Sequence, residues 1–241
     1  MGPPIDHELL RVFSERVSAG LQQVRTTIDS AGMDPESITI IGVTKGWGPE
    51  AVLAGLANGL TWFGENYADE LVAKAAAVEA TLEIGTLPRT PNSCGPKWTF
   101  QGKLQSNKIN RLKNVVALWQ TVDSVERAQA LGSRVPGADV FVQVVLHETR
   151  ERSGCTPDEL PMVLQEANLA GLRICGLMGV APDSAVYGFD ATEKAFAQIK
   201  RLADTHGLGS LSIGMSDDYA VALAHGATHL RLGSLLFGQR S

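Results

Sequence analysis

Apolar residues recur first at helical spacing and then in short runs. Leu10, Phe13, Val17, Leu21, Val24 and Ile28 are three or four apart, which places them on one face of a helix. Asp6 is the expected N-cap and Gly32 the expected stop, so the pattern predicts a helix over 6–31. Beyond it, apolar β-branched runs occur at 38–45, 61–64, 98–101, 117–122, 139–146, 173–180, 210–215 and 229–237. Helical patterns fall between them, at 50–58, 67–78, 124–134 and 157–169. Thr156-Pro157-x-Glu159 reads as a capping box with proline at the first helical position. Ser216-Asp217-Asp218 opens a further helix that Gly226 closes, and the segment 82–97, with Pro88, Pro91 and Pro96, reads as a long loop. Strands alternating with helices imply a parallel sheet buried on both faces. Eight such units predict an α/β fold, a single (β/α)8 TIM barrel over 38–237 preceded by an extra N-terminal helix, in one domain over 1–241. The rival, an open doubly wound sheet, lacks its Gly-x-Gly-x-x-Gly turn after the first run.

Composition narrows the function. The 241 residues are 44% hydrophobic, enough for one sizeable core, and the net charge of -5 comes without any strongly basic stretch. Nucleic acid and anionic membrane surfaces are therefore not expected partners. The start Met1-Gly2-Pro3-Pro4-Ile5-Asp6 carries no secretory pattern, and no apolar run approaches the ~20 residues needed to cross a bilayer. Cys94, Cys155 and Cys175 are odd in number and widely spaced, which predicts free thiols in a reducing cytoplasm, with Cys175 a small core residue. His7, His147, His206, His225 and His229 show no metal-ligand spacing, so no metal is expected, and the four tryptophans are expected to pack near strands.

In a barrel of this type the chemistry sits at the C-terminal ends of the strands. That rule selects Lys45, then Glu65 and Asn66, then Ser212, Gly214 and Met215, then Arg231, Gly233 and Ser234. A partly desolvated lysine at the mouth is suited to Schiff-base formation with an aldehyde, whereas the plain alternative is a solvated lysine ending a strand. The glycines and serines after the last two strands suit a phosphate, or are ordinary turn residues. Arg231, if it faces a pyridine nitrogen, would keep that nitrogen unprotonated and weaken it as an electron sink.

Several segments together resemble the pyridoxal-phosphate homeostasis proteins of the YggS/PROSC type. They are Val43-Thr44-Lys45, Phe63-Gly64-Glu65-Asn66-Tyr67, Leu104-Gln105-Ser106-Asn107-Lys108, Val122-Asp123-Ser124, Ser153-Gly154-Cys155 and Gly176-Leu177-Met178. Leu211-Ser212-Ile213-Gly214-Met215-Ser216-Asp217-Asp218, then Arg231-Leu232-Gly233-Ser234 and Phe237-Gly238, complete the series in the same order. The resemblance implies the alanine racemase N-terminal barrel (the type III fold of pyridoxal-phosphate proteins) with pyridoxal 5′-phosphate on Lys45. It also implies phosphate contacts from Ser212, Gly233 and Ser234, Arg231 at the ring nitrogen, and Asn66 beside the cofactor. Gly214 is carried over as part of the same cofactor-binding set. The implied role is cytoplasmic vitamin B6 homeostasis, without catalytic residues, with pyridoxal-phosphate apoenzymes as candidate recipients. Thr99 and Lys103 stand where the family pattern leads one to expect histidines, Ile213 replaces a methionine and Ser234 a threonine, and 145–152 lacks the usual Asn and Gly-Glu. A closed sheet without free edges predicts a monomer. The competing readings are a racemase-like pyridoxal-phosphate enzyme, a Schiff-base aldolase acting on phosphorylated sugars, and a barrel that only binds proteins.

Overall fold

The computed structural model describes residues 5–83, 95–147 and 153–239. Cys94, Pro88, Pro91 and most of the divergent segment 145–152 lie outside the described residues.

Helix α1 (His7–Ser30) forms as its periodicity predicts: Phe13, Val17, Leu21, Val24 and Ile28 are buried and Leu10 is half-buried. The Asp6 carboxylate accepts the N–H groups of Glu8 and Leu9, both at 3.0 Å, and Gly32 turns the chain away with φ +70°. All eight predicted strands are present: β1 (Thr39–Val43), β2 (Trp62–Glu65), β3 (Lys97–Phe100), β4 (Val116–Val122), β5 (Asp139–Val144), β6 (Arg173–Gly179), β7 (Ser210–Ser212) and β8 (His229–Leu232). They pair in parallel in sequence order, and β8 returns to β1 with Ile41 opposite Arg231, closing the barrel.

Outside the barrel lie α2 (Pro49–Ala57), α3 (Ala68–Glu83), α4 (Ser106–Leu112), α5 (Val125–Gly132), α6 (Leu160–Leu169), α7 (Ser184–Tyr187), α8 (Phe189–Thr205), α9 (Tyr219–Ala224) and α10 (Ser234–Phe237). Helices α4, α7, α8 and α10 are additional to those the pattern names. Helix α3 continues to Glu83, past the expected end at 78. The Thr156 capping box forms reciprocally, with Thr156 N–H to Glu159 Oε2 at 2.8 Å and Glu159 N–H to Thr156 Oγ1 at 3.3 Å, but it closes a turn and α6 starts at Leu160. Strand β8 is shorter than expected. The apolar Leu235-Leu236-Phe237 is a one-turn helix packed on α1, with Phe237 edge-on to Phe13 at 6.1 Å. Because α10 is so short, the long α1 covers the barrel wall beside α2 and α10, a position that a full eighth helix would take.

Side chains alternate across each strand. Those facing outward meet the helices: Phe63, Trp98, Phe100 and Trp119 are buried in the main core. Those facing inward form two layers. The lower one is Leu118, Phe141 and Met178 with Trp62, Cys175 and Val180 packed against it. Each large side chain buried there contributes about 1.5–3 kcal/mol. Above it the inward positions become polar.

Candidate functional site

The mouth is built by adjacent strands. Thr44 to Trp47 make a β-turn directly after β1, closed by Trp47 N–H to Thr44 O at 3.0 Å, and Gly46 at its third position has φ +77°. Lys45 is therefore presented on a turn, half-buried, two residues past the strand. Val43 pairs with Gly64, so Lys45 and Asn66 stand at the same height on neighbouring strands. Asn66 Oδ1 is buried and has no hydrogen-bond partner among the described residues. On the other side of β1, a Cβ added to Gly233 would lie 3.6 Å from Val43 O, which puts Gly233 and Ser234 beside the same turn.

Arg231 lies deeper, level with Ile41. Its Nη1 donates to Ser212 O at 2.5 Å and Ser212 Oγ at 2.8 Å, and its Nη2 to Gly179 O at 2.9 Å. Burial pushes the guanidinium down to about 10, with nearby Asp218 opposing the shift, so the group stays cationic at neutral pH. Ser212 Oγ donates to Gln120 Oε1 at 2.6 Å, and Gln120 Nε2 donates to Thr99 Oγ1 at 2.9 Å. A hydrogen-bonded chain thus crosses the interior from β8 through β7 and β4 to β3. Below Arg231, His229 packs edge-on against Phe141 at 4.9 Å, and burial pushes its imidazole down to about 4, so it is neutral at pH 7.

The structure brings the selected residues together in three groups. Lys45 with Asn66, and Gly233 with Ser234, line the rim, while Ser212 joins Arg231 one layer down. Gly214 acts through its backbone: φ is +92°, its carbonyl accepts Arg231 N–H at 2.9 Å, and a Cβ there would come within 2.7 Å of Ala222 Cβ. The turn after β7 does not start a helix at Ser216 as expected; Asp218 Oδ1 folds back to accept Met215 N–H at 2.5 Å, and α9 starts at Tyr219. Glu65, selected by position, instead points behind the strands: Thr44 Oγ1 donates to its Oε1 at 2.7 Å.

Two contributors escape the sequence reading. Gln120 and Thr99 are polar residues inside apolar runs, and that interruption is the signal that could have found them. Ser216 Oγ accepts the N–H groups of Gly233 at 3.3 Å and Leu235 at 3.1 Å, linking the turns after β7 and β8. With those two amides occupied, the hydroxyl protons of Ser216 and Ser234 are donors of the kind that holds an anion. Among the described residues, no three His, Cys, Asp or Glu side chains are grouped to hold a metal ion, and no helix is long and apolar enough to cross a membrane.

Comparison with known proteins agrees with this architecture. The family model described as "Alanine racemase, N-terminal domain" matches residues 25–241. The pyridoxal phosphate homeostasis protein of Pseudomonas aeruginosa is 33% identical over 238 residues, covering 96% of this chain and 97% of the relative. A protein of Bifidobacterium adolescentis described as unknown superposes with TM-score 0.85 at 25% identity, covering 98% of each chain. PipY of Synechococcus elongatus PCC7942, with PLP bound, superposes with TM-score 0.73 at 29% identity, covering 92% of this chain and 100% of PipY. The chain belongs to the alanine racemase N-terminal domain family, alongside the pyridoxal phosphate homeostasis proteins.

Proposed function

We propose that this protein binds pyridoxal 5′-phosphate at the barrel mouth, holds its aldehyde as a Schiff base on Lys45, and serves cytoplasmic vitamin B6 homeostasis rather than turnover. The observation that carries the reading is the fully buried Arg231, held by Ser212 and Gly179 at the bottom of a mouth rimmed by Lys45 and Asn66. The residues fit the cofactor. The Ser216 and Ser234 hydroxyls, with Ser216 anchored by the Gly233 and Leu235 amides, suit its phosphate, and the orphaned Asn66 Oδ1 suits a ring hydroxyl donor. Ser212 acts in this account through Arg231, because its hydroxyl already donates to Gln120 and accepts from the guanidinium.

When bound, the cofactor supplies an aldehyde for amine capture and a ring whose power as an electron sink rises when its nitrogen is protonated. Arg231 only donates hydrogen bonds, so it stabilises the unprotonated nitrogen and lowers that power. This disfavours carbanion chemistry and favours a carrier, in keeping with the naming of the relatives as homeostasis proteins. A single-domain monomer that passes the cofactor to apoenzymes is the corresponding assembly. The test is chiral analysis of L-alanine incubated with the loaded protein. The expected D-alanine yield is that of free cofactor; steady racemisation abolished by Lys45→Ala would make this an enzyme.

A further inference from the structure

Behind β1 and β2, on the side away from the mouth, lies a charged cluster that the proposed binding site does not use. Lys74 on α3 is buried, and its Nζ donates to Thr44 O at 2.7 Å, Glu65 Oε1 at 2.5 Å and Glu70 Oε1 at 2.9 Å. Three protons meet three acceptors, which saturates an ammonium. Glu70 Oε1 also accepts Gly46 N–H at 2.6 Å. Lys74 and Glu70 are four apart on one helix face.

The cluster grips the chain on both sides of Lys45. Thr44 is held by its carbonyl and its hydroxyl, and Gly46 by its amide. It also fixes Glu65, the residue before Asn66. Such a cluster is a poor device for stability alone, because well-packed apolar side chains of similar size would hold α3 at least as well. Glu65 Oε2 has no hydrogen-bond partner among the described residues, and burial raises the Glu65 pKa even with Lys74 beside it. An arrangement this costly is explained by what it positions.

We propose that Lys74 and Glu70 are positioning residues that latch the turn 44–47 and fix the direction from which the Lys45 amine meets the cofactor aldehyde. The inference rests on the reading of Lys45 as the attachment point. Its test compares two probes: pyridoxal 5′-phosphate, which can attach, and pyridoxine 5′-phosphate, which carries the same ring and phosphate but an alcohol in place of the aldehyde. Covalent attachment is followed by borohydride trapping and mass spectrometry in the full-length protein, wild type, Lys74→Met, Glu70→Ala and Glu70→Gln.

The attachment rate is expected to fall about tenfold in Lys74→Met and about threefold in Glu70→Ala, since small misplacements of a reacting group are costly. Glu70→Gln keeps an oxygen for Gly46 and recovers most of the rate. Affinity for pyridoxine 5′-phosphate stays within about twofold of wild type, because ring and phosphate contacts are untouched. Wild-type attachment rates in Lys74→Met and Glu70→Ala, or an equal loss of affinity for both probes, would overturn the latch and leave Lys45 as the attachment point. If Lys74→Met does not fold by circular dichroism, Glu70→Ala decides, because Glu70 is only partly buried. A wild-type protein that attaches no pyridoxal 5′-phosphate removes the Lys45 reading, and the latch falls with it.

Discussion

The lower and upper layers of the barrel interior share strand β4 and do opposite things. The lower layer, with Leu118, Phe141 and Met178, is apolar and has even expelled the charge from His229. The upper layer holds Thr99, Gln120, Ser212 and the cation of Arg231, all buried, with Gln120 two residues beyond Leu118 on β4. Their polar groups are matched by one another, but Asn66 Oδ1 at the rim is not. The difference teaches where free energy is stored. The lower layer is finished in itself, whereas the rim keeps an acceptor that a ligand's donor can engage. Substitutions below should act on stability more than on binding, and those above on binding more than on stability.

The largest effect expected is from Phe141→Ala, which opens a cavity in the lower layer and costs about 3–5 kcal/mol of folding free energy by denaturant titration. Acid exposes the same layer. His229 takes up a proton at 6.5 when unfolded but only at about 4 when folded. The unfolded chain therefore binds the proton first, and stability is lost as pH falls from 6.5 to 4, with no further contribution below. The loss amounts to about 3 kcal/mol, and His229→Leu should flatten it in melts recorded against pH.

The upper layer gives the converse. Arg231→Met removes charge-assisted bonds that would serve the ligand, so affinity for pyridoxal 5′-phosphate should fall by about tenfold or more. A drop in stability with affinity retained would place the ring elsewhere. The smallest stability effect is at the rim. Asn66→Ala deletes a buried acceptor that lacks a partner, so stability should hold or rise by up to about 1 kcal/mol while cofactor affinity drops. A clear destabilisation would show that Asn66 is already satisfied.

The division was partly legible in the sequence. Spacings of three and four predict α1, and apolar runs predict eight strands, because burial leaves a strong local trace. The positions of Lys45 and Asn66 just past β1 and β2, and of Arg231 within β8, are legible because the strand runs fix their height in the barrel. The apolar run 229–237 predicts a longer β8 than forms, since Leu235, Leu236 and Phe237 are apolar for docking on α1 and not for joining a sheet. Gln120 and Lys74 were illegible for a different reason. Gln120 meets Ser212 across 92 positions of sequence, and Lys74 meets Thr44 across 30, so although a polar residue in an apolar run marks Gln120 locally, nothing local names the partner of either.

The measurement that bears most directly on the central claim is the absorption spectrum of wild type and Lys45→Ala with pyridoxal 5′-phosphate, before and after borohydride. The account predicts a visible band near about 420 nm in wild type alone, converted by borohydride into a stable adduct mapping to Lys45. No band in wild type, or an equal band and adduct in Lys45→Ala, would contradict it.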